Sequence, residues 1–185
     1  MYKAWITYTE ETCLRLALVQ DKCYGKTRLI VRVILTMIPF IIAYFVGFDK
    51  GISALLIALG VIIFYSTNYM YERDASKAYH GTPEQFRRVD YYFHNESFSV
   101  ESGGLSKNVK YSEIYSLATD GIYFYLFINP RQAYMLELKN EKAKDRDSFD
   151  SFLTGKTGKK WKKVRLKRTF GMYIHDQIKK LKYRT

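Results

Sequence analysis

The stretch from Leu29 to Tyr71 reads LIVRVILTMIPFIIAYFVGFDKGISALLIALGVIIFYSTNYMY, two apolar runs joined by a few turn-forming residues. A hydrocarbon layer of about 30 Å needs roughly 20 helical residues at 1.5 Å each. Leu29–Phe48 has that length with one charge, Arg32, near enough to its end for the guanidinium to reach polar surroundings. Gly51–Tyr71 has it with no charge. Asp49-Lys50-Gly51 permits only a tight reversal, so the two helices should be antiparallel neighbours. A buried hairpin would need amphipathic helices to cover both runs, and none follows residue 71. The sequence therefore predicts a transmembrane hairpin with spans 29–48 and 51–71. Tyr65, Tyr69 and Tyr71 would form an aromatic belt at one interface. Pro39 predicts a bend, and Ala54-x-x-x-Ala58 a small-residue contact face.

Orientation follows from the flanking cations. Lys22, Lys26, Arg28 and Arg32 lead into the first run, Arg73, Lys77, Arg87 and Arg88 follow the second, and the turn holds only Lys50. That asymmetry places both termini in the cytoplasm. A signal peptide fits poorly, because the apolar run begins late and continues into a second without a small-residue cleavage motif. The formal net charge is +12, and its excess lies at the C-terminus. Twelve Lys or Arg and one acid, Asp176, lie between Lys156 and Thr185, so this segment carries +11 and the rest of the chain +1. Cys13 and Cys23 match no metal or redox spacing and read as reduced thiols.

Ala4–Tyr8 alternates and could add a strand to a sheet. Thr9 is placed to cap a helix whose first turn holds Glu10 and Glu11, with Leu14, Ala17 and Leu18 as its apolar stripe. After the hairpin, the second helix should run on through Glu72–Tyr79 and stop at Gly81-Thr82-Pro83. The pattern then becomes alternating. Phe86–Phe93 is strand-like, His94-Asn95-Glu96 a turn, and Phe98 and Val100 mark a second strand ending at Gly103-Gly104. Leu105, Val109 and Tyr111 mark a third, followed by a helical turn at Ser112-Glu113-Ile114. Leu117–Thr119 runs into an Asp120-Gly121 hairpin, and the continuous apolar run Ile122–Ile128 reads as a buried central strand. Asn129-Pro130 turns the chain, Tyr134–Leu138 returns it, and Asp145–Thr154 is a closing helix with Phe149, Phe152 and Leu153 on one face.

The predicted class is an α+β membrane protein: a two-helix transmembrane hairpin plus a small antiparallel pleckstrin-homology-like (PH-like) domain closed by a C-terminal helix. Its expected parts are a cytoplasmic lead (1–28), the hairpin (29–71), a helix extension and linker (72–85), the PH-like domain (86–155) and a basic tail (156–185).

Tyr8-Thr9-Glu10-Glu11, the hairpin at 29–71, Tyr111-Ser112-Glu113-Ile114 and the aromatic strand Ile122-Tyr123-Phe124-Tyr125 together resemble the YcxB-like family of small bacterial membrane proteins. The resemblance covers roughly residues 5–154. It implies a bacterial, multi-pass inner (plasma) membrane location and a cytoplasmic PH-like domain, and it carries no catalytic residues.

Motifs with a chemical meaning fail on their surroundings. Gly155-Lys156-Thr157 resembles the end of a phosphate loop, but Asp150 stands where its first glycine belongs and a helix precedes it. Asp145-x-Asp147-x-Phe149 begins like a calcium loop and then puts phenylalanine at a ligand position. His80, His94 and His175 have no paired ligand spacing. No catalytic set, metal site or cofactor is therefore expected.

The basic tail carries the one candidate site: Lys159, Lys160, Trp161, Lys162, Lys163, Arg165, Lys167 and Arg168, suited to anionic lipid headgroups. Ile174, Ile178 and Leu181 could continue it as an amphipathic helix. Nucleic-acid phosphates are the weaker alternative, since no nucleic-acid fold accompanies the charges. The function expected is a non-catalytic, membrane-anchored binding or scaffold protein serving an unidentified protein partner. The second reading is a small regulatory subunit of a larger membrane complex acting through its hairpin.

Overall fold

The computed structural model describes residues 2–46, 51–138 and 143–166. Eight strands form one sheet: β1 (Tyr2–Thr7), β2 (Arg88–Phe93), β3 (Ser97–Ser102), β4 (Leu105–Lys110), β5 (Ser116–Thr119), β6 (Phe124–Asn129), β7 (Gln132–Leu138) and β8 (Trp161–Lys163). Four α-helices accompany them: α1 (Glu10–Tyr24), α2 (Lys26–Val46), α3 (Gly51–Gly81) and α4 (Ala143–Thr157). The strand order is β4-β3-β2-β1-β7-β6-β5-β8, so the first strand of the chain lies in the middle of the sheet. It pairs with β2 along its whole length (Tyr2 opposite Phe93 through Thr7 opposite Arg88) and, among the described residues, with β7 at Ala4–Leu138 and Trp5–Glu137.

Alternation puts Ala4, Ile6, Val89, Tyr91 and Phe93 on one buried face. α4 closes over it as its apolar face predicts: Phe149 meets Phe93, Phe124 and Tyr2 edge-on, with centroids 5.1, 5.2 and 5.3 Å apart. Such geometry sets the electropositive edge of one ring against the face of the next. The opposite face of β5–β7 is covered by α1, where the Tyr24 ring meets Phe127 at 5.0 Å. Tyr125, Leu126 and Phe127 are thus enclosed from both sides, which is why this strand carries an unbroken apolar run rather than an alternating one. Gly103 and Gly104 turn β3 into β4 at φ 54° and 78°, the left-handed pair that a two-residue hairpin requires.

α2 and α3 form the antiparallel pair, inserted between β1 and β2. Ser53, Gly60, Pro39 and Ala43 are buried at their seam, and Ala54 and Ala58, the small-residue face, are exposed. Gly60 is required there, since a Cβ would stand 2.6 Å from the Phe40 ring. Outside the seam, Ile34, Met37, Ile41, Phe45, Leu55 and Ile62 are exposed.

The transmembrane expectation is overturned. Among the described residues no helix is long and apolar enough to cross a membrane. The described part of α2, Lys26–Val46, opens with Lys26, Arg28 and Arg32, so its apolar portion begins only after the first two turns. In α3 the apolar sequence gives way to Ser66-Thr67-Asn68 and then to Glu72-Arg73-Asp74. The helix is long because it continues as a polar one. With the spans go the membrane-protein fold class, the integral two-span membrane partnership, the transmembrane interface of the second functional reading, and the multi-pass inner-membrane location with both termini cytoplasmic. The Asp49-Lys50 turn and the side chains of Tyr65, Tyr69 and Tyr71 lie outside the described residues. The α+β class stands, in a different form. The sheet is not confined to residues 86–155 but recruits β1 from the expected lead and β8 from the expected tail.

Candidate functional site: a docked basic strand

The C-terminal basic segment does not leave the fold at Gly155. α4 continues to Thr157, whose hydroxyl donates to the Leu153 carbonyl oxygen (2.7 Å), and Gly158 at φ 65° turns the chain back. β8 then lies parallel to β5, with Leu117 opposite Trp161, Ala118 opposite Lys162 and Thr119 opposite Lys163. The pairing extends one bond further, from the Val164 N–H to the Thr119 carbonyl (2.8 Å).

Side chains alternate across this strand. Trp161 turns toward α4: its ring meets Phe124 at 5.3 Å, and its indole N–H donates to the Asp150 carbonyl oxygen at 3.2 Å. Its apolar area is spent on the core, not on an interface as the sequence suggested. Val164 and Leu166 also pack against the core, while Lys159, Lys160, Lys162, Lys163 and Arg165 are exposed. Five of the predicted cations are therefore held on one sheet edge. Lys167 and Arg168, like the helix expected around Ile174, Ile178 and Leu181, lie outside the described residues.

The two faces of β8 differ. On the α4 face, the Lys163 charge acts on the Asp150 carboxyl, where burial nevertheless wins and pushes the pKa up. On the α1 face, the Lys162 ammonium stands 4.7 Å from the centre of the Tyr24 ring, a cation–π contact, and its charge partly offsets the burial that raises the Cys23 thiol. The Tyr24 hydroxyl hydrogen-bonds Ser116 Oγ, and the half-exposed Tyr115 ring lies 5.8 Å from Tyr24. Sequence reasoning missed Tyr24, which meets Lys162, and Tyr115 and Ser116, which meet Tyr24, because the parallel pairing of β8 with β5 brings them together.

A second cluster is buried. Arg15 of α1 donates to Glu11 Oε1 and to Asp120 Oδ2, each at 3.2 Å, and the Arg15 and Asp120 side chains are only 4% and 2% exposed. Asp120 Oδ2 also accepts from the Tyr125 hydroxyl (2.9 Å), and Oδ1 accepts from the Ile122 and Tyr123 N–H groups (2.9 and 2.8 Å). Burial pushes the Tyr125 and Tyr123 phenols up, and for Tyr123 the nearby Glu137 carboxylate adds to it. The Arg15–Asp120 pair, with the Tyr125 phenol held as a donor to the carboxylate, joins α1 to the β5–β6 turn. This is a fastening between helix and sheet.

The remaining motifs are occupied structurally. Lys156 of the Gly155-Lys156-Thr157 sequence reaches Asn95 Oδ1, His94 offers its carbonyl to the Tyr111 hydroxyl (2.8 Å), and His80 Nε2 lies 3.0 Å from Glu10 Oε1. Among the described residues no group of three His, Cys, Asp or Glu could hold a metal ion.

Residues 93–153 match the sequence model of the family described as YcxB-like protein. The match is the family that the residues resemble. It spans β3 through most of α4, including Tyr111–Ile114 and Ile122–Tyr125, and it does not include β1, the α2–α3 pair or β8. No curated protein and no solved structure matches the chain.

Proposed function

We propose that the protein acts by binding rather than by catalysis, as a scaffold whose docked basic strand holds an anionic lipid surface. The observation that carries this reading is the division of labour along residues 159–166. Trp161, Val164 and Leu166 pack against the core, and the three exposed cations between them, Lys162, Lys163 and Arg165, are thereby held in place, with Lys159 and Lys160 just before Trp161. A free polybasic tail loses chain entropy when it meets a surface. This segment is already ordered, so less of its attraction is lost on contact. Each cation near an anionic leaflet contributes about 1 kcal/mol, screened beyond a Debye length of about 10 Å at 0.1 M salt.

The test is sedimentation of the full chain with vesicles of anionic and of neutral lipid. The expected result is a preference for the anionic vesicles that fades as salt rises. Equal binding to both at low salt would sink the proposal, and stronger binding to duplex DNA than to anionic vesicles at the same salt would favour nucleic-acid phosphates instead.

A further inference from the structure

We infer that the lipid meets one face of β8 only, the α1 face, where Lys162, Tyr24 and Tyr115 form a site for a lipid phosphate headgroup. The inference rests on the binding reading above and narrows it to a site and an orientation.

The two faces present different chemistry. On the α4 face Arg146 and Lys163 both act on Asp150, and neighbouring Asp147 is a second acid, so cations and carboxylates alternate and the local field is mixed. On the α1 face the Lys162 ammonium rests on the Tyr24 ring, whose hydroxyl is engaged by Ser116. An aromatic face attracts the ammonium without neutralising it, so its charge stays available to a phosphate oxygen. Lys22 and Lys26, both exposed, lie two residues to either side of Tyr24 in the chain. Tyr115, 52% exposed beside Tyr24, supplies an amphipathic ring of the kind that sits at headgroup level.

The choice of lipid over other phosphates comes from what adjoins the cluster. α2 begins at Lys26, two residues after Tyr24, and from Ile30 (59% exposed) it presents Val31, Val33 and Ile34 to the surroundings. A cationic and aromatic cluster running directly into exposed aliphatic side chains complements a headgroup above acyl chains. A nucleic-acid backbone would use the cations and leave the aliphatic surface uncovered.

Two substitutions of identical charge change separate the faces. Lys162→Gln and Lys163→Gln sit on adjacent residues of the same strand, both exposed, and each removes one positive charge. In full-length protein with vesicles of phosphatidylglycerol and phosphatidylcholine, Lys162→Gln should weaken the anionic preference by about fivefold, the equivalent of one surface cation. Lys163→Gln should change it by less than twofold. Tyr115→Ala, which leaves every charge in place, should weaken binding to the anionic vesicles by a few-fold as the interfacial ring is lost. Equal losses from Lys162→Gln and Lys163→Gln, or a larger loss from the latter, would overturn the orientation while leaving the binding reading intact. Absence of any anionic preference in the unaltered protein would instead remove the reading on which it rests.

Discussion

Asp120 gathers four donors on two oxygens, three from the turn and strand that follow it and one, Arg15, from α1. Arg15 is 105 residues away from its partner. Removing the carboxylate takes from the buried guanidinium one of its charged partners, and breaking a buried pair from one side costs about 3–5 kcal/mol. Asp120→Ala should therefore lower the urea midpoint sharply. Asp120→Asn keeps an acceptor oxygen for the turn and should cost clearly less. Equal midpoints for the two variants would show that the charge is irrelevant there. Asp150 behaves oppositely. Its Oδ1 is buried without a hydrogen-bond partner, and burial raises its pKa above the ordinary 3.8. The folded protein then holds the proton more tightly than the unfolded chain, so the carboxyl costs no stability below its unfolded pKa. The cost appears as pH rises through the folded value. Asp150→Asn should be more stable than the parent at pH 7, with the gain shrinking as pH falls toward 4. A gain independent of pH would mean that ionisation is not the cause.

At the level of elements, the hairpin between β3 and β4 permits a controlled comparison. A Cβ on Gly104 would meet nothing, whereas one on Gly103 would fall 2.4 Å from the Phe86 ring. Gly104→Ala should cost only the left-handed backbone term, about 1–2 kcal/mol, and Gly103→Ala that plus displacement of Phe86. Calorimetric Tm values in the reverse order would contradict the packing described. Gly103-Gly104, Asp120-Gly121 and the Phe149-Phe152-Leu153 face were all legible in the sequence, because turn chemistry and helical period are local signals. The strand reading of Ala4–Tyr8 was legible for the same reason, but its place between β2 and β7 was not. α1, its Thr9 cap and its Glu10-Glu11 first turn were legible, but a single apolar stripe of Leu14, Ala17 and Leu18 did not describe what it buries. In fact it lies between the sheet and α3, buries Thr12, Arg15 and Val19, and has few fully exposed positions. The apolar runs were read correctly as helices. What sequence hydropathy could not resolve was how much of each helix stays apolar from end to end. For the candidate site, Lys162 and its neighbours stood out by charge, whereas Tyr24 and Tyr115 are ordinary residues until β8 pairs with β5.

The whole molecule is held together through its first strand. Among the described residues β1 is the strand that joins the β2–β4 half to the β5–β8 half, and α1, which follows it, fastens to the β5–β6 turn through Arg15 and touches α3 through Glu10, which accepts from Ser76 Oγ at 3.1 Å. A fragment comprising residues 79–185 contains the entire family match and yet lacks this centre. It should show no cooperative thermal transition by circular dichroism, and adding a peptide of residues 1–24 should restore one. A cooperative transition in the fragment alone would mean that the two halves close on each other without β1. During synthesis the same arrangement imposes a schedule. The opening segment leaves the ribosome long before either flanking strand exists, and its second partner is complete only once Leu138 has been added. At about 5–20 residues per second the nascent chain must carry an unsatisfied edge for on the order of ten seconds. Pausing translation before that codon should leave the N-terminus open to protease, and pausing well after it should not.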